Sequence, residues 1–273
     1  MLGIEGNDPI HSIISLKHEV EHNGSIYNIG CDPFYVHYWL PIQEHIIQSK
    51  QYNKWKTICV DATGSLVLPI IRTKNKIQSA HIFLYQIITV VDGKTIPISQ
   101  QLSEKQDMLT IYYWMANWMN TGVTLPDECV SDYSKALLGA ITRIFCNRRS
   151  LQDYINTCFI YLTGDENQLP ECYVRIDVAH MVHIVCRWKC LSLRKPVKDF
   201  YVRTIGLLIK LNNIDDFKKT LEIIIVIACS ETDGDNVNKL STPSENARKH
   251  LINYISHGDI KMTSEEFNDN SYR

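Results

Sequence analysis

The chain has 273 residues, 45% of them hydrophobic and 21% charged, with a formal net charge of −2. That length buries a sizeable core, the composition is that of a soluble globular protein, and the charge excludes a global basic footprint, so any nucleic-acid contact must be local. The longest apolar run, Ile223 to Cys229, is far too short to span a bilayer. Met1 to Ile10 carry acids and glycine rather than a basic segment and an apolar core, so no secretory signal is expected. Nine cysteines in such a chain read as reduced intracellular thiols. No internal repeat and no low-complexity segment is visible.

In chain order, the first two dozen residues are mixed and polar, with a short strand or helix at His11 to Leu16. The segment Phe34-Tyr35-Val36-His37-Tyr38-Trp39 then packs four aromatics into six residues. It reads as a lid packed on a sheet edge, with an aromatic platform for stacking on bases as the alternative. Ile42, His45 and Ile46 follow at helix spacing. From Trp55 onward the pattern is a meander. A first strand, Lys56 to Val60, ends in Asp61 and a Gly64-Ser65 turn. A second runs from Leu66 to Ile71, and a third, His81 to Val91, is closed by Asp92-Gly93. Ser103 begins a helix whose apolar positions, Met108, Ile111, Trp114, Met115 and Trp118, keep helical spacing up to Thr121-Gly122. A short strand, Glu128 to Ser131, ends in Asp132, and a helix follows from Ser134 to Phe145. A fifth strand, Cys172 to Ile176, ends in Asp177, and a helix runs from His180 to Leu191.

Three antiparallel strands followed by helix, strand, helix, strand, helix is the element order of the ribonuclease-H-like fold. The expected architecture is therefore α/β: a mixed five-stranded sheet flanked by helices, with a partial all-helical insertion after strand five. The segments are an N-terminal flank (1–50), the core (51–192), the helical insertion (193–262) and a polar tail (263–273). In that layout the first and fourth strands are neighbours, and Asp61 and Asp132 stand at their carboxyl ends. Paired carboxylates repel as bare anions and gather cations. Their oxygens suit Mg²⁺ or Mn²⁺, and such ions activate the attacking oxygen and stabilise the leaving oxygen of a phosphodiester. The ordinary roles of the same residues are a turn at Asp61 and a helix cap at Asp132.

The stretches Val60-Asp61-Ala62-Thr63-Gly64-Ser65, Val130-Ser131-Asp132-Tyr133-Ser134-Lys135-Ala136-Leu137 and Arg175-Ile176-Asp177-Val178-Ala179-His180 resemble the core of Mutator-like element transposases, more closely the NOF-type arthropod branch than the plant enzymes. The resemblance covers roughly Gly30 to Lys210. It implies an enzyme that cleaves DNA and transfers strands, with Asp61 and Asp132 as the first two catalytic and metal-binding acids, Mg²⁺ or Mn²⁺ as cofactor, DNA as partner and the nucleus as location. A homodimer is left open. Where the family often carries Cys-x-x-His, this chain has Asp177-Val178-Ala179-His180. The third acid of the family, a glutamate on a late helix, has no clean match. Glu231 closes an apolar helix, and Glu245 reads as an N-terminal helix acid answering the dipole. The expectation is a truncated or decayed element-encoded chain, weakly active or inactive. The alternative is a non-catalytic nucleic-acid- or protein-binding remnant.

Two further groups stand out. His180, His183, Cys186 and Cys190 line one helix face. Two of them, completed by Cys146, Cys158 or Cys172, would make a structural zinc site, whereas ordinary core packing of the cysteines is the plainer reading. Arg187, Lys189, Arg194, Lys195, Lys198 and Arg203 form a basic run around Trp188. It is either a solvated face or a phosphate track in which Arg187, Arg194, Lys195 and Lys198 bind nucleic acid.

Overall fold

The computed structural model describes residues 8–48, 55–72, 77–164, 169–189, 195–230 and 242–257. The chain divides into two compact units, Met1–Asp177 and Val178–Arg273.

The first unit is a mixed α/β body. In chain order its elements are α1 (Pro9–His18), β1 (Ile26–Cys31), β2 (Phe34–Tyr38), α2 (Pro41–Gln48), β3 (Thr57–Val67), β4 (Ile71–Arg72), β5 (Ile77–Gln78), β6 (Ile82–Val91), β7 (Lys94–Ser103), α3 (Met108–Met119), β8 (Glu128–Ser131), α4 (Lys135–Phe145), α5 (Leu151–Thr163) and β9 (Tyr173–Ile176). Among the described residues, one sheet has seven strands in the order β1-β2-β7-β6-β3-β8-β9, and β4 and β5 form a separate two-stranded ribbon. The pairs from β1 to β3 are antiparallel; β3–β8 and β8–β9 are parallel.

The expectation of five strands is thus corrected to seven. The aromatic segment is no lid. Phe34 and Val36 alternate with Tyr35 and His37 across β2, which pairs along its length with β7. Its start is held by Glu104, whose Oε2 accepts the Phe34 N–H at 2.6 Å. The Asp92-Gly93 turn does exist, with φ of 49° and 75°, but it leads into β7 rather than ending the meander. Pro97 disguises β7, because proline in a strand interior removes a ladder hydrogen bond. Here it sits at the register shift opposite Ile87 and Ile88, where the ladder is already broken.

A second correction concerns Gly64-Ser65. These residues lie inside β3, which runs unbroken from Thr57 to Val67 with a register shift between Thr63 and Val67. Gly64 is required by a close approach: a Cβ there would come within 2.9 Å of the Phe83 ring on β6. Asp61 is therefore a mid-strand residue.

The sheet has two faces. Ile58, Val60, Tyr85, Ile87 and Cys129 point to one, where Trp114, Met115 and Trp118 of α3 and Leu137, Ile141 and Phe145 of α4 close the main core. Phe34, Val36 and Ile82 point to the other, packed with Ile70 from the connection after β3 and with Ile10 and Ile13 of α1. Helix starts follow local chemistry: Asp107 caps α3 (not Ser103, as expected), Ser134 caps α4, and Ser150 caps α5.

The second unit is helical: α6 (Val178–Cys186), α7 (Lys195–Lys210), α8 (Ile214–Ala228) and α9 (Pro243–His257). Val182, Val185 and Val202 join α6 to α7. Leu207, Leu208, Ile224 and Leu251 pack α7, α8 and α9 together. Among the described residues no helix is long and apolar enough to cross a membrane.

Candidate functional site

The parallel ladders set the level of the three aspartates. Val60 is paired with Ser131, and Ser131 with Ile176. The next residues are Asp61, Asp132 and Asp177, and the Asp177 N–H donates to the Ser131 carbonyl at 2.8 Å. They stand side by side on three neighbouring strands, with backbones about 4.8 Å apart per strand. Asp61 is exposed, Asp132 and Asp177 half-buried. On β3, Asp61 lies on the face opposite the main core, together with Cys59 and Thr63.

Asp132 has left the ladder and turned towards its own helix. Its Oδ1 accepts the Ser134 N–H at 2.9 Å, and the Ser134 hydroxyl in turn accepts the Leu137 N–H at 3.4 Å. The capping role expected of Asp132 is thus shared, with Ser134 as the cap and Asp132 closing the turn before it. Among the described residues no group of three or more His, Cys, Asp and Glu side chains is gathered closely enough to hold a metal ion. Asp177 therefore does not close a three-ligand cluster with the other two.

A charged group stands at the other end of the same strands, four residues before the row. Arg175 Nε donates to Glu128 Oε1, and the Thr57 hydroxyl donates to Glu128 Oε2 at 2.8 Å. Burial alone would raise the Glu128 carboxyl, but these bonds and the guanidinium charge hold it below the usual range. The Cys59 thiol is pushed up by burial. Arg175 opposes that shift, while Glu128, Asp177 and Asp61 add to it. On the core face, the Tyr85 hydroxyl is pushed up to about 12, by burial first and then by the charges of Asp107 and Asp132. Arg175 and Glu128 were not singled out from the sequence; their alternation along short strands is the only signal they leave.

In the second unit Arg187 is exposed just beyond α6, Lys195 opens α7, and Lys198 lies half-buried in its first turn. Arg194 lies outside the described residues. Burial lowers the His183 imidazole below its usual range, and Arg187, His180 and Lys198 lower it further. Arg187 and Lys198 thus share one positive neighbourhood. Lys195 and Lys198 stand at the start of α7, against its dipole, with Asp199 following Lys198 in the chain and acting beside it on the Cys186 thiol. Arg203 is less available, since its Nε is buried without a hydrogen-bond partner. Of the proposed zinc ligands, Cys190 lies outside the described residues. Cys146 and Cys172 are buried in the main core, where the Cys146 thiol donates to the Cys172 carbonyl at 3.2 Å. The Cys172 thiol is pushed far up, by its bond with Cys146 and by burial. Both pack as core thiols. Glu245 lies in the first turn of α9, paired with Lys249 at 2.6 Å. Glu231 lies outside the described residues.

No protein-family model matches the chain. Among solved structures it is similar to a chain of the Drosophila P element transposase strand transfer complex, at 13% identity and a TM-score of 0.34, covering 78% of this chain and 53% of that one. That likeness is too loose to assign a fold. Among curated proteins, the chain is 34% identical over 272 residues to the "120.7 kDa protein in NOF-FB transposable element" of Drosophila melanogaster, a match over 98% of its own length that spans 25% of that protein.

Proposed function

We propose that this chain is transposase-derived, of the NOF type within the Mutator-like elements, and that Asp61 and Asp132 are its metal-binding acids for phosphodiester chemistry on DNA. The observation that carries the reading is their place on neighbouring parallel strands, at one level, in a sheet whose central order is β7-β6-β3-β8-β9. Three antiparallel strands followed by two parallel ones is the ribonuclease-H-like order; β1 and β2 extend it at one edge. The similarity to a transposable-element protein over almost the whole chain supports the same reading, and the nucleus follows as its place of action.

The donor set fits a hard cation: carboxylate oxygens, one exposed and one half-buried, while the Cys59 thiol on the same face of β3 is pushed up by burial, away from the thiolate that binds metal. When bound, Mg²⁺ or Mn²⁺ supplies charge stabilisation at a phosphoryl oxygen. Asp61, held by its pairing with Gln86 on β6, orients one carboxylate. The Ser134 N–H orients the other by holding one oxygen of Asp132. Arg187, Arg194, Lys195 and Lys198 contribute sequence-independent phosphate contacts.

The test is nicking of supercoiled plasmid by the full chain in Mn²⁺ and Mg²⁺. Slow, Mn²⁺-supported nicking that disappears in Asp61→Ala is expected, because two carboxylates hold one cation where two-ion catalysis needs more. DNA binding without nicking would leave the non-catalytic remnant. Absence of both would end the transposase-derived reading of the activity.

A further inference from the structure

The row that contains Asp61 does not stop at Asp61. In the antiparallel half of the sheet Asp61 is paired with Gln86, Gln86 with Gln100, and Gln100 with Tyr38. Directly opposed residues share a face, so these four side chains line up on the side of the sheet away from the main core. Beneath α1 that row becomes the floor of a cavity of about 480 Å³, walled by Ile13, Leu16, Tyr38 and Leu102. Its volume is within the range of small-molecule sites. Exposure falls along the row: Asp61 is exposed, Gln86 half-buried and Gln100 5% exposed. Neither glutamine makes a side-chain hydrogen bond among the described residues, and both line the cavity.

Their amide atoms are not sealed off but open onto the cavity, where water or a ligand meets them. An amide on the floor of an apolar cavity is therefore suited to a ligand that brings its own donors and acceptors. A purely apolar occupant would leave both amides unsatisfied. A nucleobase has apolar faces for Ile13, Leu16 and Leu102, and an edge that glutamine reads with a donor and an acceptor together. The cavity floor starts one strand spacing from Asp61 and reaches Gln100 at two, about 10 Å away. That is the reach of a base from a phosphate held at the carboxylate.

We propose that this cavity takes one unstacked base of the DNA strand whose phosphate lies at Asp61, with Gln86 and Gln100 contacting its edge. The proposal rests on the function proposed above and adds a binding site to it. Flipping a base out of a duplex has an unstacking cost, smallest in single-stranded tracts, so the site favours an opened strand beside the scissile phosphate.

The experiment is an abasic scan. A fluorescein-labelled duplex with a short single-stranded tract is titrated with the full chain in Ca²⁺, and an abasic residue replaces each base of the tract in turn. Expected is a loss of affinity of about tenfold, one good hydrogen-bonded contact, at one position. In Gln100→Leu that position is expected to become indifferent, intact and abasic strands binding alike. Leu16→Trp, at an exposed α1 position, narrows the mouth without touching the sheet. It is expected to give the same indifference, and it decides the matter if Gln100→Leu fails to fold. DNA binding that no abasic substitution weakens in the wild-type chain overturns the base site and leaves the proposed function standing. No binding of any strand overturns both.

Discussion

His37 is fully buried on β2, and burial pushes its imidazole down to about 4 from an ordinary 6.5. Its Nδ1 stands 3.2 Å from the Asn117 amide nitrogen, which donates to it in the Nε2–H tautomer. Its Nε2 is buried with no partner. The rings of Tyr35 and Tyr113 lie 4.9 and 5.6 Å away, and Gln101 is its ladder partner. No carboxylate faces it in these contacts, so a proton on Nδ1 would meet a donor in a dry place. The folded state thus binds this proton less readily than the unfolded state. The stability is fully present above pH 6.5, falls as pH drops below 6.5, and is wholly lost near pH 4. At about 1.4 kcal/mol per pH unit, the loss between pH 7 and pH 4.5 is about 2.5 kcal/mol. His37→Gln removes the titration. Urea unfolding of both chains at pH 7 and pH 4.5, followed through the tryptophans of the first unit, should show wild type losing about 2.5 kcal/mol more than the variant. Equal acid losses in the two chains would refute the assignment of a neutral, buried His37.

Gly64→Ala should destabilise the first unit by about 1–3 kcal/mol, since its Cβ would meet the Phe83 ring at 2.9 Å. Adding Phe83→Leu should restore part of the loss in the same urea titration, and unchanged stability would mean that the ring moves aside freely. Replacing Arg187, Lys195 and Lys198 by alanine should lower the log–log salt slope of DNA binding by roughly 0.9 for each phosphate that is no longer neutralised. An unaltered slope, with the helical circular dichroism intact, would identify the run as a solvated face.

What the sequence determined by itself is what neighbours along the chain decide. The Asp92-Gly93 turn, the periodicity of α3 and α4 and the strand Glu128–Ser131 all depend on interactions within a few residues, and each is where the sequence places it. Asp61 and Asp132 could also be singled out, because an acid after an apolar run is visible without a partner. Tertiary structure decided the rest, because pairing and close approach are made with residues distant in sequence. Gly64-Ser65 has the composition of a turn, yet the glycine answers the Phe83 ring on the next strand. The segment Lys94–Ser103, with Pro97 and two glutamines, has poor strand chemistry, yet it lies in mid-sheet between β2 and β6. The aromatic segment has the composition of a cover, and its partner β7 makes it a strand. Gln86 and Gln100 are ordinary polar positions along the chain. Only the antiparallel register sets them beside Asp61 on one face, because which residues share a row across a sheet is fixed by strand order and not by sequence distance.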